Sequence, residues 1–203
     1  MGILSKTLEL CAKPKGLFGA LWLKVMNVSH TPYAKWHLSL VQWNEDWTVL
    51  DEGCGGGKNI ARLLKLCPKG QVYGIDYSEV SVNASRKLNA DQLGKRCFIE
   101  QGNAMSLDFE DEKFNAVTAF ETVYFWPDLQ QCFAETSRVL KTGGLFMFSY
   151  GNHEDKMFQH WAKNIEAMKL LPIEQVTAVL EKVGFKDIKV TPKDSTYNIQ
   201  ATK

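Results

Sequence analysis

Val49-Leu50-Asp51-Glu52-Gly53-Cys54-Gly55-Gly56-Gly57 reads as a short strand running into a glycine turn at the mouth of a helix. Glycines at such a junction permit positive φ and let a ligand approach main-chain atoms without interference from a Cβ. That marks a nucleotide-type site, and the spacing narrows the choice of nucleotide. A dinucleotide fingerprint needs G-x-G-x-x-G; counting from Gly53 gives Gly55 and then Lys58, so the third glycine is missing. A phosphate-cradling G-x-x-x-x-G-K-[ST] loop also fails, because Gly53 to Lys58 is one residue short and Asn59 replaces Ser or Thr. What remains is D-x-G-x-G-x-G at Asp51, Gly53, Gly55 and Gly57. Asp76 follows 19 residues after Gly57, at the end of the next strand-like run, where an acid can accept both hydroxyls of a ribose.

Outward from this loop, short β-branched runs alternate with segments of helical period, the pattern of β/α units around a parallel sheet. Strands are predicted at Thr48–Glu52, Gln71–Asp76, Cys97–Gln101, Phe114–Phe120 and Leu145–Tyr150. A first helix carries Ile60, Leu63, Leu64 and Cys67 on one face and stops at Pro68/Gly70. A second starts with Ser78 as N-cap and sets Val80, Ala84 and Leu88 inward. A third follows Pro127-Asp128, turns Phe133, Thr136 and Leu140 inward and ends at Gly143-Gly144. From Pro172 a helix with Ile173, Val176, Leu180 and Val183 ends at Gly184. Two alternating runs, Phe185–Thr191 and Ser195–Thr202, then form a hairpin that closes the sheet.

The first 43 residues differ: they are helical in period, aromatic (Phe18, Trp22, Tyr33, Trp36, Trp43) and basic, with five Lys against one Glu. With no Gly/Ser-rich linker before Thr48, they are expected to be a cap or lid (1–43) on a single domain whose core is 44–203. The chain has 203 residues, with 24 Lys+Arg against 23 Asp+Glu, a balance that argues against a dedicated nucleic-acid binder. Its 45% apolar content is that of an ordinary globular protein. The apolar stretch Leu17–Val28 is cut by Lys24 and Asn27, too short and polar to cross a bilayer, so a cytoplasmic protein without stable membrane insertion is expected. Five widely spaced cysteines without a C-x-x-C pair suit buried or loop thiols rather than a disulfide framework or zinc site. His30, His37, His153 and His160 have no His or Cys at metal-ligand spacing, and no metal is expected.

Taken in order, these motifs resemble the class I S-adenosylmethionine-dependent methyltransferases, over about residues 27 to 190. The resemblance implies a Rossmann-like, doubly wound, mostly parallel seven-stranded sheet with a C-terminal antiparallel hairpin and an N-terminal helical cap. Tyr73-Gly74-Ile75-Asp76-Tyr77-Ser78 is similar to the family's second motif, in which the acid holds the ribose and the next side chain packs on adenine. Gly102-Asn103-Ala104 is similar to the third, with Asn103 in place of the usual Asp; its amide oxygen can still accept from the adenine amine. Phe114-Asn115-Ala116-Val117 and Leu140-Lys141-Thr142-Gly143-Gly144 match the segments at the fourth strand and before the fifth, Thr142 standing where proline is common. Asn27-Val28-Ser29-His30 with Trp36, and Glu121-Thr122-Val123-Tyr124-Phe125-Trp126-Pro127-Asp128, resemble a group of small bacterial-type methyltransferases. By this resemblance the cofactor-binding residues are Asp51, Gly53, Cys54, Gly55, Gly57, Asp76, Tyr77, Asn103, Ala104 and Glu121.

The implied reaction is in-line displacement of the methyl group from S-adenosylmethionine to a small-molecule acceptor, giving S-adenosylhomocysteine. The sulfonium is already activated, so alignment and exclusion of water carry the rate. Where the acceptor is a hydroxyl or protonated amine, Glu121, His30 and Tyr124 are the candidate bases. His30 is expected over the active site, and Tyr33, Trp36, Tyr124, Phe125 and Trp126 either wall an acceptor pocket or serve as ordinary packing. The N/D-P-P-Y/F signature of amino-directed enzymes is absent, because Glu121-Thr122-Val123-Tyr124 stands there. Asp76 has a second reading as a local helix cap. Glu52 is either bonded structurally to the N-terminal cap or orients substrate; a buried carboxylate without a partner must stay protonated. The competing function is a noncatalytic S-adenosylmethionine-binding or partner-interaction module, and the expected state is a monomer or homodimer.

Overall fold

The structure is a computed structural model that describes residues 31–203, together with Gly16. His30 and the rest of the expected cap before Thr31 lie outside the described residues.

Seven strands form one sheet: β1 (Val49–Glu52), β2 (Val72–Asp76), β3 (Cys97–Gln101), β4 (Phe114–Ala119), β5 (Leu140–Gly151), β6 (Lys186–Lys193) and β7 (Thr196–Thr202), in spatial order β3-β2-β1-β4-β5-β7-β6. The first five run parallel; β7 enters antiparallel between β5 and β6. The order builds outward from β1 in one direction and then from β4 in the other, which leaves a crevice beyond their carboxyl ends, the topological switch point where ligands enter such sheets. The glycine loop leaves β1 there, and Phe120-Glu121 leave β4 beside it.

The helices are α1 (Thr31–Ser39), α2 (Lys58–Leu66), α3 (Glu79–Leu88), α4 (Leu129–Val139), α5 (Lys156–Asn164) and α6 (Ile173–Val183). The strands of the parallel core are buried on both faces. On one face Leu50, Val117, Phe133, Phe146 and Phe148 form a cluster under α4 and α6, with Phe133 5.6 Å from Phe146 in edge geometry. On the other, Val49, Ile60, Leu63, Val72 and Met147 pack under α2. Residues Val49 and Leu50 divide between the two faces because side chains alternate along a strand.

The sheet, its hairpin and the helix ending at Gly184 (φ 105) agree with expectation. Three local readings change. Helix α3 buries Ser81, Val82 and Ser85, while Leu88 is 46% exposed. The cause is its close approach to the glycine loop: a Cβ on Gly57 would collide with Ser85, and Asn89 Nδ2 donates to Gly57 O at 3.1 Å, so small and polar side chains must face inward. Helix α4 ends at Val139 rather than Gly143-Gly144, because Leu140 already pairs with Phe114 and β5 continues for twelve residues through a shift of register. Helix α5 is additional to the helices expected from the sequence; Asp155 caps it, accepting from Met157 N and Phe158 N, and Phe158 fills its buried face.

Candidate active site

The three alternating glycines all have positive φ (Gly53 73°, Gly55 51°, Gly57 76°), but for different reasons. A side chain at Gly53 would strike Thr122 in the loop after β4, and one at Gly57 would strike Ser85 of α3. Both are therefore small because the protein itself comes close. At Gly55 nothing lies within 4 Å of where a Cβ would be, so the loop is open at that point. The N–H groups of Gly53 and Cys54 both donate to Ile75 O at 2.9 Å, Gly57 N donates to Cys54 O at 3.0 Å, and Gly55 N donates to Asp76 Oδ2 at 2.9 Å. A phosphate cradle works by presenting main-chain donors to the anion. These four are already engaged, so the loop suits a cationic group flanked by carbonyls and carboxylates.

Two carboxyl groups lie near that point. Asp51 is buried and its Oδ1 accepts from Thr118 Oγ1 at 2.7 Å; burial, with Asp76 nearby, pushes its pKa up to about 7. Asp76 accepts from Gly55 N and, at 2.8 Å, from Ser78 N, and burial raises its pKa too. Ser78 itself is the N-cap of α3, accepting from Ser81 N. Asp76 therefore ties the glycine loop to the end of β2. Its carboxylate oxygens have further lone pairs for a ribose. Tyr77, beside it, is 59% exposed, a large aromatic surface next to the Asp76 carboxylate. Cys54 faces the other way, its Sγ 3.9 Å from Ser85 Oγ in the core, so only its main chain borders the loop. Asn103 is exposed and its Oδ1 accepts from Met105 N at 3.0 Å in a tight turn; Ala104, next in sequence, is half-buried. These residues fit the adenosine and amino-acid ends of a sulfonium nucleotide.

Across the crevice, Glu121 has φ 55, a left-handed conformation costly for a residue with a Cβ and one that clusters at functional sites. It is held by Ser149: Glu121 N donates to Ser149 Oγ at 2.7 Å, and that hydroxyl donates to Glu121 Oε1 at 2.8 Å. Tyr124 OH donates to Glu121 Oε2 at 2.9 Å. Tyr124 packs edge-on against Phe125 at 4.8 Å, within an aromatic group that includes Tyr150 and Phe158. Trp126 is buried against Phe133 at 5.9 Å, within the main core. From α1, Tyr33 is half-buried, and Trp36 sits 4.8 Å from His37 with Lys193 Nζ 5.0 Å from its ring. The structure thus brings Glu121 and Tyr124 into direct contact. His37 was passed over in the sequence, where a lone histidine carries little signal. It is 1% exposed, with Nδ1 3.0 Å from Asn198 Nδ2 of β7, and its ring meets Phe120 edge-on at 5.9 Å. Burial lowers its pKa to about 4, with the Glu121 carboxylate opposing and Lys193 reinforcing.

Glu52 does not meet the N-terminal segment described here. It is fully buried against α4, with both carboxyl oxygens 3.2 Å from Thr136 Oγ1, which also lies 3.0 Å from Cys132 O. One hydroxyl proton cannot serve all three. A protonated Glu52 resolves the conflict, donating to Thr136 while Thr136 donates to Cys132 O, and burial raises its pKa to about 8.

The sheet order, the glycine loop and the paired acids define a class I S-adenosylmethionine-dependent methyltransferase. Residues 44–199 match the methyltransferase domain family, and the chain belongs to that family. It is 33% identical over 189 residues to a demethylmenaquinone methyltransferase of Halalkalibacterium halodurans, a match covering 80% of this chain and 77% of that protein. It is 29% identical over 161 residues to a rice 24-methylenesterol C-methyltransferase 2, covering 74% of this chain and 44% of the relative, so the chain spans less than half the length of that protein. In fold it is similar to a SAM-dependent methyltransferase from Aquifex aeolicus, with TM-score 0.72 and 19% identity over 90% of this chain and 97% of the other.

Proposed function

We propose that the protein transfers the methyl group of S-adenosylmethionine to a small, largely apolar acceptor that carries a polar head. The carrying observation is the glycine loop, whose Gly53, Cys54, Gly55 and Gly57 donors are bonded internally while Gly55 stays open beside Asp51 and Asp76. The cofactor supplies an electrophilic methyl carbon on a positively charged sulfur. On this reading Asp51 and the loop carbonyls receive its ammonium, Asp76 its ribose hydroxyls, and Tyr77 and the Asn103-Ala104 turn its adenine. Glu121, held by Ser149 and Tyr124, faces the acceptor and takes its proton where the nucleophile is a hydroxyl. Tyr33, Trp36, Tyr124 and Phe125 supply apolar wall, which excludes water and aligns the acceptor.

The relatives named above are methyltransferases of demethylmenaquinone and of a 24-methylenesterol, both small molecules, and the near-neutral charge of the chain is consistent with a small acceptor rather than a nucleic acid. Among the described residues no helix is long and apolar enough to cross a membrane. Calorimetry with S-adenosylmethionine and S-adenosylhomocysteine, followed by mass spectrometry of reactions with naphthols, quinols and sterols, tests the proposal. Binding plus a product heavier by one methylene supports it; absence of cofactor binding overturns it.

A further inference from the structure

We propose that His37 is the hydrogen-bond donor that recognises an oxygen atom of the methyl acceptor, through its Nε2–H. This rests on the small-acceptor reading above and adds a specificity residue and a substrate class to it: molecules with a hydroxyl or carbonyl oxygen next to the methylated position.

The argument begins at β7. Asn198 is fully buried, and Gln200 Nε2 donates to its Oδ1 at 2.9 Å. With the two amides in this orientation, Asn198 Nδ2 is the group that faces His37 Nδ1 at 3.0 Å. An amide nitrogen can only donate. Nδ1 therefore carries the lone pair, and in the neutral ring the proton sits on Nε2. Burial keeps the ring neutral, with its pKa lowered to about 4.

Nε2 is itself buried and has no hydrogen-bond partner among the described residues. A donor oriented by a two-step relay and then left without an acceptor is a cost that a packing residue would not carry; a phenylalanine would fill the same space without it. The groups around the ring locate the donor. Its edge contact is Phe120, its opposing charge is Glu121, and these are the two residues by which the chain leaves β4 into the crevice. Trp36 lies 4.8 Å from the ring, with Lys193 Nζ 5.0 Å from the Trp36 ring centre. A hydroxylated acceptor admitted beside the ring would accept from His37 Nε2–H, with the Glu121 carboxylate as the nearby acceptor for its own proton. An aliphatic or purely aromatic acceptor satisfies neither.

The test uses the full chain saturated with S-adenosylhomocysteine, with 1-naphthol and naphthalene as probes. In the wild type the imidazole 15N shifts of His37 report the Nε2-protonated tautomer, and 1-naphthol binds about tenfold more tightly than naphthalene. In His37→Phe that preference disappears while affinity for S-adenosylhomocysteine is kept. His37→Gln, whose amide nitrogen falls near the Nε2 position, restores part of it and serves if the Phe variant does not fold. An Nδ1-protonated ring, a wild type that does not prefer 1-naphthol, or a His37→Phe protein that retains the preference overturns the inference. Failure of the wild type to bind S-adenosylhomocysteine overturns the methyltransferase reading instead.

Discussion

Asp51 and Glu52 are adjacent carboxyl groups on β1 that face opposite sides of the sheet, one toward the cofactor crevice and one toward α4. For both, burial is the largest influence and raises the pKa, to about 7 and about 8. An acid that holds its proton more tightly folded than unfolded costs nothing below its unfolded pKa. It destabilises the fold progressively as pH rises toward the folded value. For Glu52 that window runs from its ordinary 4.5 to about 8. Glu52→Gln should therefore gain on the wild type across this range, approaching tenfold in the folding equilibrium per pH unit, and level off above it. Urea titrations at pH 5, 6.5 and 8 would read this, and a pH-independent difference would show that the carboxyl group is ionised throughout. For Asp51, on the proposed reading, the same shift is linked to ligand. A cationic ammonium beside it favours the carboxylate, so cofactor binding expels a proton, and affinity rises with pH up to about 7. Calorimetry in buffers of different ionisation enthalpy should detect that proton in the wild type and not in Asp51→Asn.

At the scale of elements, the glycine loop separates stability from ligand binding. Gly57→Ala brings a Cβ to 2.8 Å from Ser85 Cα at a positive φ, and should cost about 2 kcal/mol or more by denaturant titration. Gly55→Ala meets open space and should cost about 1 kcal/mol, from its φ alone, while losing most of the affinity for S-adenosylmethionine. Equal loss of stability in both would contradict the assignment of Gly55 to the ligand. The sequence made the loop and the strands legible because spacing and β-branched runs are local signals. It misjudged α3, where Val80, Ala84 and Leu88 have the helical period but the tight approach of Gly57 selects Ser81, Val82 and Ser85 for the inner face. The end of α4 was misread for a related reason: Gly143-Gly144 look like a helix stop, yet pairing of Leu140 with Phe114 had already committed the chain to β5. In the candidate site, motif order singles out Asp51, Asp76 and Glu121, whereas the setting of His37 depends on Asn198, a residue 161 positions away that no local pattern connects to it.

At the scale of the whole molecule, β7 ties the two ends of the described chain together. It completes the sheet between β5 and β6, and through Asn198 it bonds to His37 of α1. Cofactor and fold should therefore respond as one unit. S-adenosylhomocysteine at a hundred times its Kd should stabilise the native state by about 2.7 kcal/mol and raise the melting temperature in a single transition. A second transition that ignores the ligand would show α1 and the core to be separate cooperative units.

The internally bonded amides of the glycine loop also decide which molecules can compete for the crevice. ATP shares adenosine with the proposed cofactor and would find the same acid for its sugar and the same tyrosine for its base. Its triphosphate, however, would meet Asp51 and Asp76 and would find the N–H groups of Gly53, Cys54, Gly55 and Gly57 already bonded. Where ATP is far more abundant than the sulfonium nucleotide, those bonded amides and buried carboxyls weigh against its triphosphate at the loop.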